Sequence, residues 1–150
     1  MKPMRNLEEI MTKEVVTLRP EEPLKKAVDY FDRLSIHHLL ITDGKHGKLL
    51  GILSKTDVLN VFLSNQGSED PISFNELLDQ KVSVAMTEDP IYLDPSDSIG
   101  LAADLILSNK FHSLPIVEDN KLMGIVTSHD LLKFAFQQIK PEDITEPFEE

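Results

Sequence analysis

The sequence contains no cysteine, which excludes disulfides, thiolate metal sites and cysteine nucleophiles together. The absence also fits a reducing compartment, so we expect the protein in the cytoplasm. No apolar run approaches the ~18 residues that a membrane-spanning helix needs, and residues 1–5 do not lead into the apolar core of a secretion signal. We therefore expect a protein that neither crosses nor binds a membrane.

Positive charge is scarce, because 15 lysines and arginines stand against 26 aspartates and glutamates, for a net charge of −11. A protein that binds nucleic acid or an anionic membrane neutralises phosphates with clustered cations, so this composition argues against both partners. The acidity itself is most simply explained as a contribution to solubility.

Sequence patterns typical of catalysis and of metal binding are also missing. There is no Walker loop, no glycine-rich dinucleotide fingerprint and no Ser-His-Asp order, so we expect no enzyme activity and no catalytic cofactor. The five histidines form no local metal motif. The adjacent His37 and His38 would point to opposite sides of a strand, which argues against joint ligation, and we expect no metal site.

What the sequence does contain is the same unit twice. The stretch from Met11-Thr12 to Asp57 recurs from Met86-Thr87 to Asp130. The copies differ in length at a Gly-rich turn, residues 43–48 against residues 118–121, and a hairpin tip tolerates such a change. The duplication predicts a pseudo-symmetric molecule with a cleft at the seam. Residues that constrain a backbone recur in register: Pro20 with Pro95, Ala27 with Ala102, Gly51 with Gly124.

Hydrophobic spacing predicts the order β-α-β-β-α in each copy. Apolar residues at i, i+3 and i+4 mark the helices, and continuous apolar runs mark strands that are buried on both faces. In the first copy these elements are strand 15–18, helix 24–34, strands 39–42 and 49–53, and helix 54–62. In the second copy they are strand 91–93, helix 99–106, strands 114–117 and 121–126, and helix 127–139.

A short capped helix is expected before each copy, over residues 6–11 with a capping box of Asn6 and Glu9, and over residues 73–78. The predicted fold class is mixed α/β (α+β), with two repeats packed in pseudo-twofold symmetry. Neither three-stranded sheet can bury both of its faces alone, whereas two sheets together can. The predicted division is repeat 1 over 1–63, a polar linker over 64–72, repeat 2 over 73–140, and a frayed acidic tail over 141–150.

Several motifs occur once in each copy and carry a family resemblance. In the first copy they are Met11-Thr12, residues 16–20, residues 37–41 and residues 51–57; in the second they are Met86-Thr87, residues 91–95, residues 112–117 and residues 124–131. In this order and with this duplication they resemble a stand-alone tandem pair of cystathionine-β-synthase (CBS) domains, which is called a Bateman module.

The resemblance implies a regulatory module without catalytic activity. It implies two pseudo-twofold clefts and a ligand that carries adenosine: AMP, ADP, ATP, S-adenosylmethionine or a dinucleotide. It also implies a flat homodimer and a separate protein that the module regulates. The alternative is a ligand-independent dimerisation or scaffold module.

The resemblance assigns ribose binding to Asp57 and Asp130, since an ionised carboxylate accepts hydrogen bonds from vicinal hydroxyls. Ser54 and Thr127 stand at strand-to-helix junctions, where free N–H groups attract phosphate, and are expected to meet ribose or phosphate. The same spacing fits a helix-capping box, in which each cap would add about 1 kcal/mol of stability. The two roles can coexist.

The resemblance also places the short first strand and the first hairpin strand of each copy at a base pocket. Tyr92 stands where the first copy has Thr17, and it could stack on adenine, block its own cleft or be a buried edge residue. Pro115, in the position of Leu40, lacks an N–H and fixes φ, so we expect unequal clefts. The base-pocket candidates are Val16, Thr17, Leu40, Ile91, Tyr92, Pro115 and Ile116.

A phosphate group in so acidic a protein needs local positive charge. The candidates, by their place in or beside the motifs, are Lys55, His37, His112 and His129. For Lys55 a solvated surface position is the plain alternative.

Overall fold

The two copies fold into helices and short strands, in a computed structural model that describes residues 5–44, 47–109 and 111–137. The predicted frayed tail 141–150 and the predicted end of the last helix, 138–139, lie outside these residues. The helices are α1 Leu24–Leu34, α2 Lys55–Gln66, α3 Phe74–Leu78, α4 Ile99–Asn109 and α5 Ser128–Gln137, with 3-10 turns at Leu7–Glu9 and Val82–Val84. The strands are β1 Thr17–Leu18, β2 His38–Thr42, β3 Leu49–Ser54, β4 Thr87–Glu88, β5 Ser113–Glu118 and β6 Lys121–Thr127.

The mixed α/β class and the paired hairpins are confirmed. Strands β1 to β4 form one sheet in sequence order, in which β1 is parallel to β2 and the other neighbours are antiparallel. Strands β5 and β6 form an antiparallel pair. Its turn has positive φ at Asp119 and Asn120, 53° and 64°, as a two-residue type I′ hairpin turn requires.

The strand predicted over 91–93 is wrong except for one bridge, in which Leu93 pairs parallel to Ile116. The equivalent pairing in the first copy is the regular β1–β2 ladder. The Leu93 N–H donates to the Pro115 carbonyl at 3.0 Å, but the nitrogen of Pro115 has no hydrogen to return to the segment before Leu93. The parallel pairing with β5 is therefore limited to Leu93, whereas the equivalent pairing of β1 with β2 extends over two residues.

The segment before each copy's first strand packs on the other copy. The Leu7 N–H donates to the Asp97 carbonyl at 2.9 Å, and the equivalent Val82 N–H donates to the Glu22 carbonyl at 2.7 Å. Leu7 belongs to the apolar cluster of the second copy, and Val82 to that of the first. The two copies thus exchange their leading segments, which are the segments before each first strand that contain Leu7 and Val82, in a pseudo-twofold manner.

The leading segments themselves differ from the prediction. Residues 6–11 form only the 3-10 turn Leu7–Glu9, and the Asn6 side chain makes no capping hydrogen bond. The capping box of α3 is confirmed, because Ser73 Oγ accepts from the Glu76 N–H at 3.1 Å. However, the Leu7–Glu9 turn corresponds to Val82–Val84 and not to α3. The last helix of the first copy, α2, is longer than predicted and continues to Gln66. The proposed linker 64–72 therefore begins within the last turn of α2.

Apolar contacts hold the two sheets together at the seam. One cluster lies in each copy, and a third, around Leu40, Val117 and Leu122, joins them. Val15, Leu49, Ile52 and Ile125 pack against this third cluster. Within the described ranges, none of the helices combines the length and the apolar composition needed to cross a bilayer.

Candidate functional site

A cavity of about 960 Å³ lies between the two copies. The first copy contributes the segment before β1, the segment that leads into β2, and the start of α2. The second copy contributes residues at the start of β5, residues of β6, and the start of α5. Its wall includes the apolar Val15, Val16, Ile36, Leu40 and Ile125. The volume is within the range of small-molecule sites, which is roughly 300–1,000 Å³.

The exchange of leading segments brings one of the two motif acids against a residue of the cavity wall. Thr12 pairs with Ile125 on β6, with reciprocal N–H to carbonyl bonds of 2.8 and 2.9 Å. This pairing brings the Thr12 hydroxyl to Asp130, where it donates to Oδ1 at 3.1 Å. A residue of the first copy that borders the cavity is therefore bonded to a motif carboxylate of the second copy, although Asp130 itself is not among the residues of the wall.

Asp130 is held in a defined position and keeps acceptor capacity. Its Oδ2 accepts from the N–H of Thr127 at 2.9 Å and from the Thr127 hydroxyl at 3.1 Å, and its own N–H donates to Thr127 Oγ1 at 3.2 Å. A carboxylate offers about four acceptor positions, of which three are used, so Oδ1 can accept a further bond beside Thr12. Asp130 and Thr127 form a cap, as the spacing predicts.

Asp57 forms the equivalent cap with Ser54. Its Oδ2 accepts from the Ser54 N–H at 2.9 Å, and its N–H donates to Ser54 Oγ at 3.1 Å. No hydrogen bond joins Thr87 to Asp57 in the described part of the chain, although β4 pairs with β3 as Thr12 pairs with β6. Neither Asp57 nor Thr87 borders the cavity, whereas Ser54 does.

The base-pocket candidates fall into two groups. Val16 and Leu40 border the cavity, and Thr17, in β1, does not. Ile91, Tyr92, Pro115 and Ile116, from the other cleft, do not border it either. Pro115 and Ile116 are buried, while Tyr92 is 55% exposed, so the buried-edge alternative for Tyr92 is wrong and stacking and blocking remain.

Two helix N-termini open into the cavity. Ser54, Lys55 and Thr56 border it at the start of α2, and Thr127, Ser128 and His129 border it at the start of α5. The first N–H groups of a helix are unpaired and carry partial positive charge, which favours an anion. The predicted cations Lys55, His37, His112 and His129 all lie in this wall.

Sequence reasoning missed His38, which also borders the cavity and whose ring lies 6.2 Å from that of His112. Burial lowers the pKa of His38, the neighbouring His112 and His37 lower it further, and Asp57 opposes them. Strand alternation does not apply to this pair because β2 begins at His38, so His37 precedes the strand, and both residues border the cavity. Thr12 was also missed; its recurrence in both Met-Thr pairs was the available signal.

Within the described ranges, no group of three or more histidine, aspartate or glutamate side chains is arranged so that it could hold a metal ion.

The comparisons with known proteins agree on one family. The family model described as "CBS domain" matches residues 7–64 and 81–136. The inosine-5′-monophosphate dehydrogenase of Methanocaldococcus jannaschii is 30% identical over 131 residues, which are 87% of this chain and 23% of that enzyme. The chain spans less than half the length of this and two further curated relatives from the same organism, 23%, 47% and 44%.

Solved structures align over nearly the whole chain. A Vibrio cholerae protein described as an acetoin utilization protein, AcuB, is 27% identical with a TM-score of 0.77, and the alignment covers 97% of this chain and 100% of that one. A protein named CBSX2, solved in complex with AMP, is 25% identical with a TM-score of 0.75, and the alignment covers 89% and 97% of the two chains.

Proposed function

The chain belongs to the CBS-domain family, and from that premise we propose that it is a regulatory module that binds one adenosine-containing ligand between its two repeats. The observation that supports this most strongly is the cavity at the seam, where Thr12 of one repeat and Asp130 of the other meet at 3.1 Å. CBSX2 was solved with AMP, which supports the same ligand class here. We propose a signalling role without catalysis, in the cytoplasm.

Ribose recognition is proposed for Thr12 and Asp130. The free capacity of Asp130 Oδ1 suits one ribose hydroxyl, and the Thr12 hydroxyl, which donates its proton to Asp130, can accept a hydrogen bond from the neighbouring ribose hydroxyl. The capping bonds from Thr127 fix the carboxylate before the ligand arrives, so little ordering is needed on binding. Capping and ribose binding therefore support each other at Asp130.

Base and phosphate are proposed to occupy opposite parts of the cavity. Val15, Val16, Leu40 and Ile125 form the apolar wall for the base. The starts of α2 and α5 form the polar end, where N–H groups and Lys55 can hold phosphate. Each repeat supplies part of both regions, so the ligand's affinity depends on how the repeats are arranged, and binding can shift that arrangement.

The proposal predicts a selective rise in thermal stability. A ligand that binds only the folded chain adds about 2.7 kcal/mol at 100 times its dissociation constant, which for this size raises the midpoint by roughly 5–10 °C. The panel is AMP, ADP, ATP, S-adenosylmethionine and NAD, with GTP as the control. A shift with an adenosine compound and none with GTP is expected. No shift with any of them at millimolar concentration would favour the scaffold alternative.

We also propose that the chain forms a homodimer through α2 and α5. Leu59 and Leu63 on α2 are 52% and 56% exposed, and the equivalent Leu132 and Phe136 on α5 are 67% and 66% exposed. Each pair is spaced i, i+4 and lies on one helix face. A twofold dimer uses the same patch on both subunits, and a patch repeated on both halves of one chain suits that symmetry.

The dimer proposal predicts that Leu63→Glu combined with Phe136→Glu gives a monomer, because the two carboxylates would be buried without partners. The matched control is Leu34→Glu, since Leu34 is 44% exposed but lies on α1. Light scattering after size exclusion should give twice the chain mass for the unmodified protein and the control, and the single chain mass for the double variant. A dimer that survives both substitutions would place the interface elsewhere.

A further inference from the structure

The cavity contains little permanent positive charge. Within the described residues Lys55 is the one lysine that borders it and no arginine does, while Glu14 adds a carboxylate. All four histidines of the described residues border it: His37, His38, His112 and His129. A phosphate monoester carries about −1.5 to −2 charge at pH 7, which exceeds the single charge of Lys55. The N-termini of α2 and α5 add partial positive charge, and protonation of a histidine is the further source of charge that the described wall offers.

His38 and His112 are the pair best placed for this. His38 is half-buried at the start of β2, His112 is exposed just before β5, and their ring centroids are 6.2 Å apart. Beside them the hydroxyl of Ser113, a residue that is only 7% exposed and also borders the cavity, has no hydrogen-bond partner in the described part of the chain. A phosphate oxygen would give this hydroxyl the acceptor that it lacks.

The surroundings of His38 disfavour its protonated form. Burial lowers the pKa of its ring, and His112 and His37 add to that effect, while Asp57 acts in the opposite direction. The other charged or titratable side chains of the cavity wall are Glu14, Lys55 and His129. A bound phosphate reverses the balance, because an anion close to an imidazole favours its protonated form.

We propose that the His38–His112 pair takes up a proton when a phosphate-bearing ligand enters the cavity, so that nucleotides bind more tightly as the pH falls whereas uncharged adenosine does not. This inference rests on the proposed function. By linkage, uptake of half a proton per ligand means an affinity about 3-fold higher for each unit of pH decrease. The cavity would then discriminate ligands by their phosphate and not only by their adenosine.

The test is calorimetric titration with AMP and with adenosine at pH 7.5, in two buffers of different ionisation enthalpy. The dependence of the heat on the buffer gives the number of protons taken up. We expect about half a proton or more per AMP and none per adenosine. The His38→Gln and His112→Gln variants should lose most of that uptake, and Lys121→Gln, on the β5–β6 turn away from the cavity wall, should keep it. The ligand's own ionisation, with a pKa near 6, is common to all variants.

The possible failures are distinguishable. AMP binding without proton uptake, or with uptake that both histidine variants retain, overturns the inference and leaves the proposed function standing. Failure of AMP and adenosine to bind at any pH overturns both. If His38→Gln does not give a cooperative thermal transition, His112→Gln decides alone, because its side chain is exposed and its replacement should not affect folding.

Discussion

Asp130→Asn is expected to weaken AMP binding by roughly 10- to 100-fold, while Asp57→Asn leaves it within about twofold. A hydrogen bond to a charged group contributes about 1.5–3 kcal/mol, and each 1.4 kcal/mol is tenfold in affinity. Neither acid is itself among the residues of the cavity wall, but the Asp130 carboxylate accepts at 3.1 Å from the hydroxyl of Thr12, which does border the cavity, and Asp57 has no such partner in the described part of the chain. The two acids have the same capping role, so Asp57→Asn is a matched control for lost capping.

Calorimetric titration with AMP measures both variants, and thermal unfolding confirms that each is folded. Equal loss at Asp57 and Asp130 would mean that both clefts bind, or that the acids act through the stability of their helices. Full AMP affinity in the Asp130→Asn variant would contradict ribose binding by Asp130. Helix capping would then be the role of both acids.

Gly124→Ala is expected to lower stability and AMP affinity together, while Gly51→Ala lowers stability alone. A Cβ at Gly124 would lie 2.6 Å from the Thr12 carbonyl oxygen, and a Cβ at Gly51 would lie 2.8 Å from that of Thr87. Both contacts are with backbone, so the leading segment must move, at a cost of roughly 1–3 kcal/mol for overpacking. For a chain of this size that lowers the midpoint of unfolding by about 3–10 °C.

The difference between the two glycines lies in what moves. Displacement of Thr12 separates its hydroxyl from Asp130 at the cavity, whereas displacement of Thr87 affects a pairing outside the cavity wall. AMP affinity, measured at a temperature where both variants are folded, should fall by tenfold or more only in Gly124→Ala. Equal affinities in the two variants would show that the Thr12 position is not needed for binding.

Local features of the fold could be predicted from the sequence because they depend on residues close in the chain. The i, i+3, i+4 spacing of Leu24, Ala27 and Phe31 gives α1, whose buried face these residues form. The capping spacing of Ser54 with Asp57 and of Thr127 with Asp130 gives the helix starts. In each case the physical cause lies within one turn of the helix.

The exchange of leading segments could not be predicted, because both copies begin with the same Met-Thr pair. The local sequence allows either pair to lie against Gly51 or Gly124. The arrangement is determined by the packing of Leu7 on the core of the second copy and of Val82 on the core of the first. The exchange places Asp130 against Thr12, which borders the cavity.

His38 was missed for a similar reason. Its partial burial and its contact with His112 arise where the two repeats meet, and the strand pattern around it indicates neither. The loss of the second short strand has a local cause in Pro115. Predicting that loss, however, requires the knowledge that Leu93 pairs beside that proline.

The central claim is that one adenosine ligand binds in the cavity between the two repeats, beside the Thr12–Asp130 pair. The most direct test is an AMP titration of isotope-labelled protein, followed through its backbone amide resonances. We expect shifts concentrated at residues of the cavity wall within 12–16, 36–40, 54–56, 112–113 and 125–129. Shifts concentrated at residues 87–93 and 51–53, or no shifts at millimolar AMP, would contradict it.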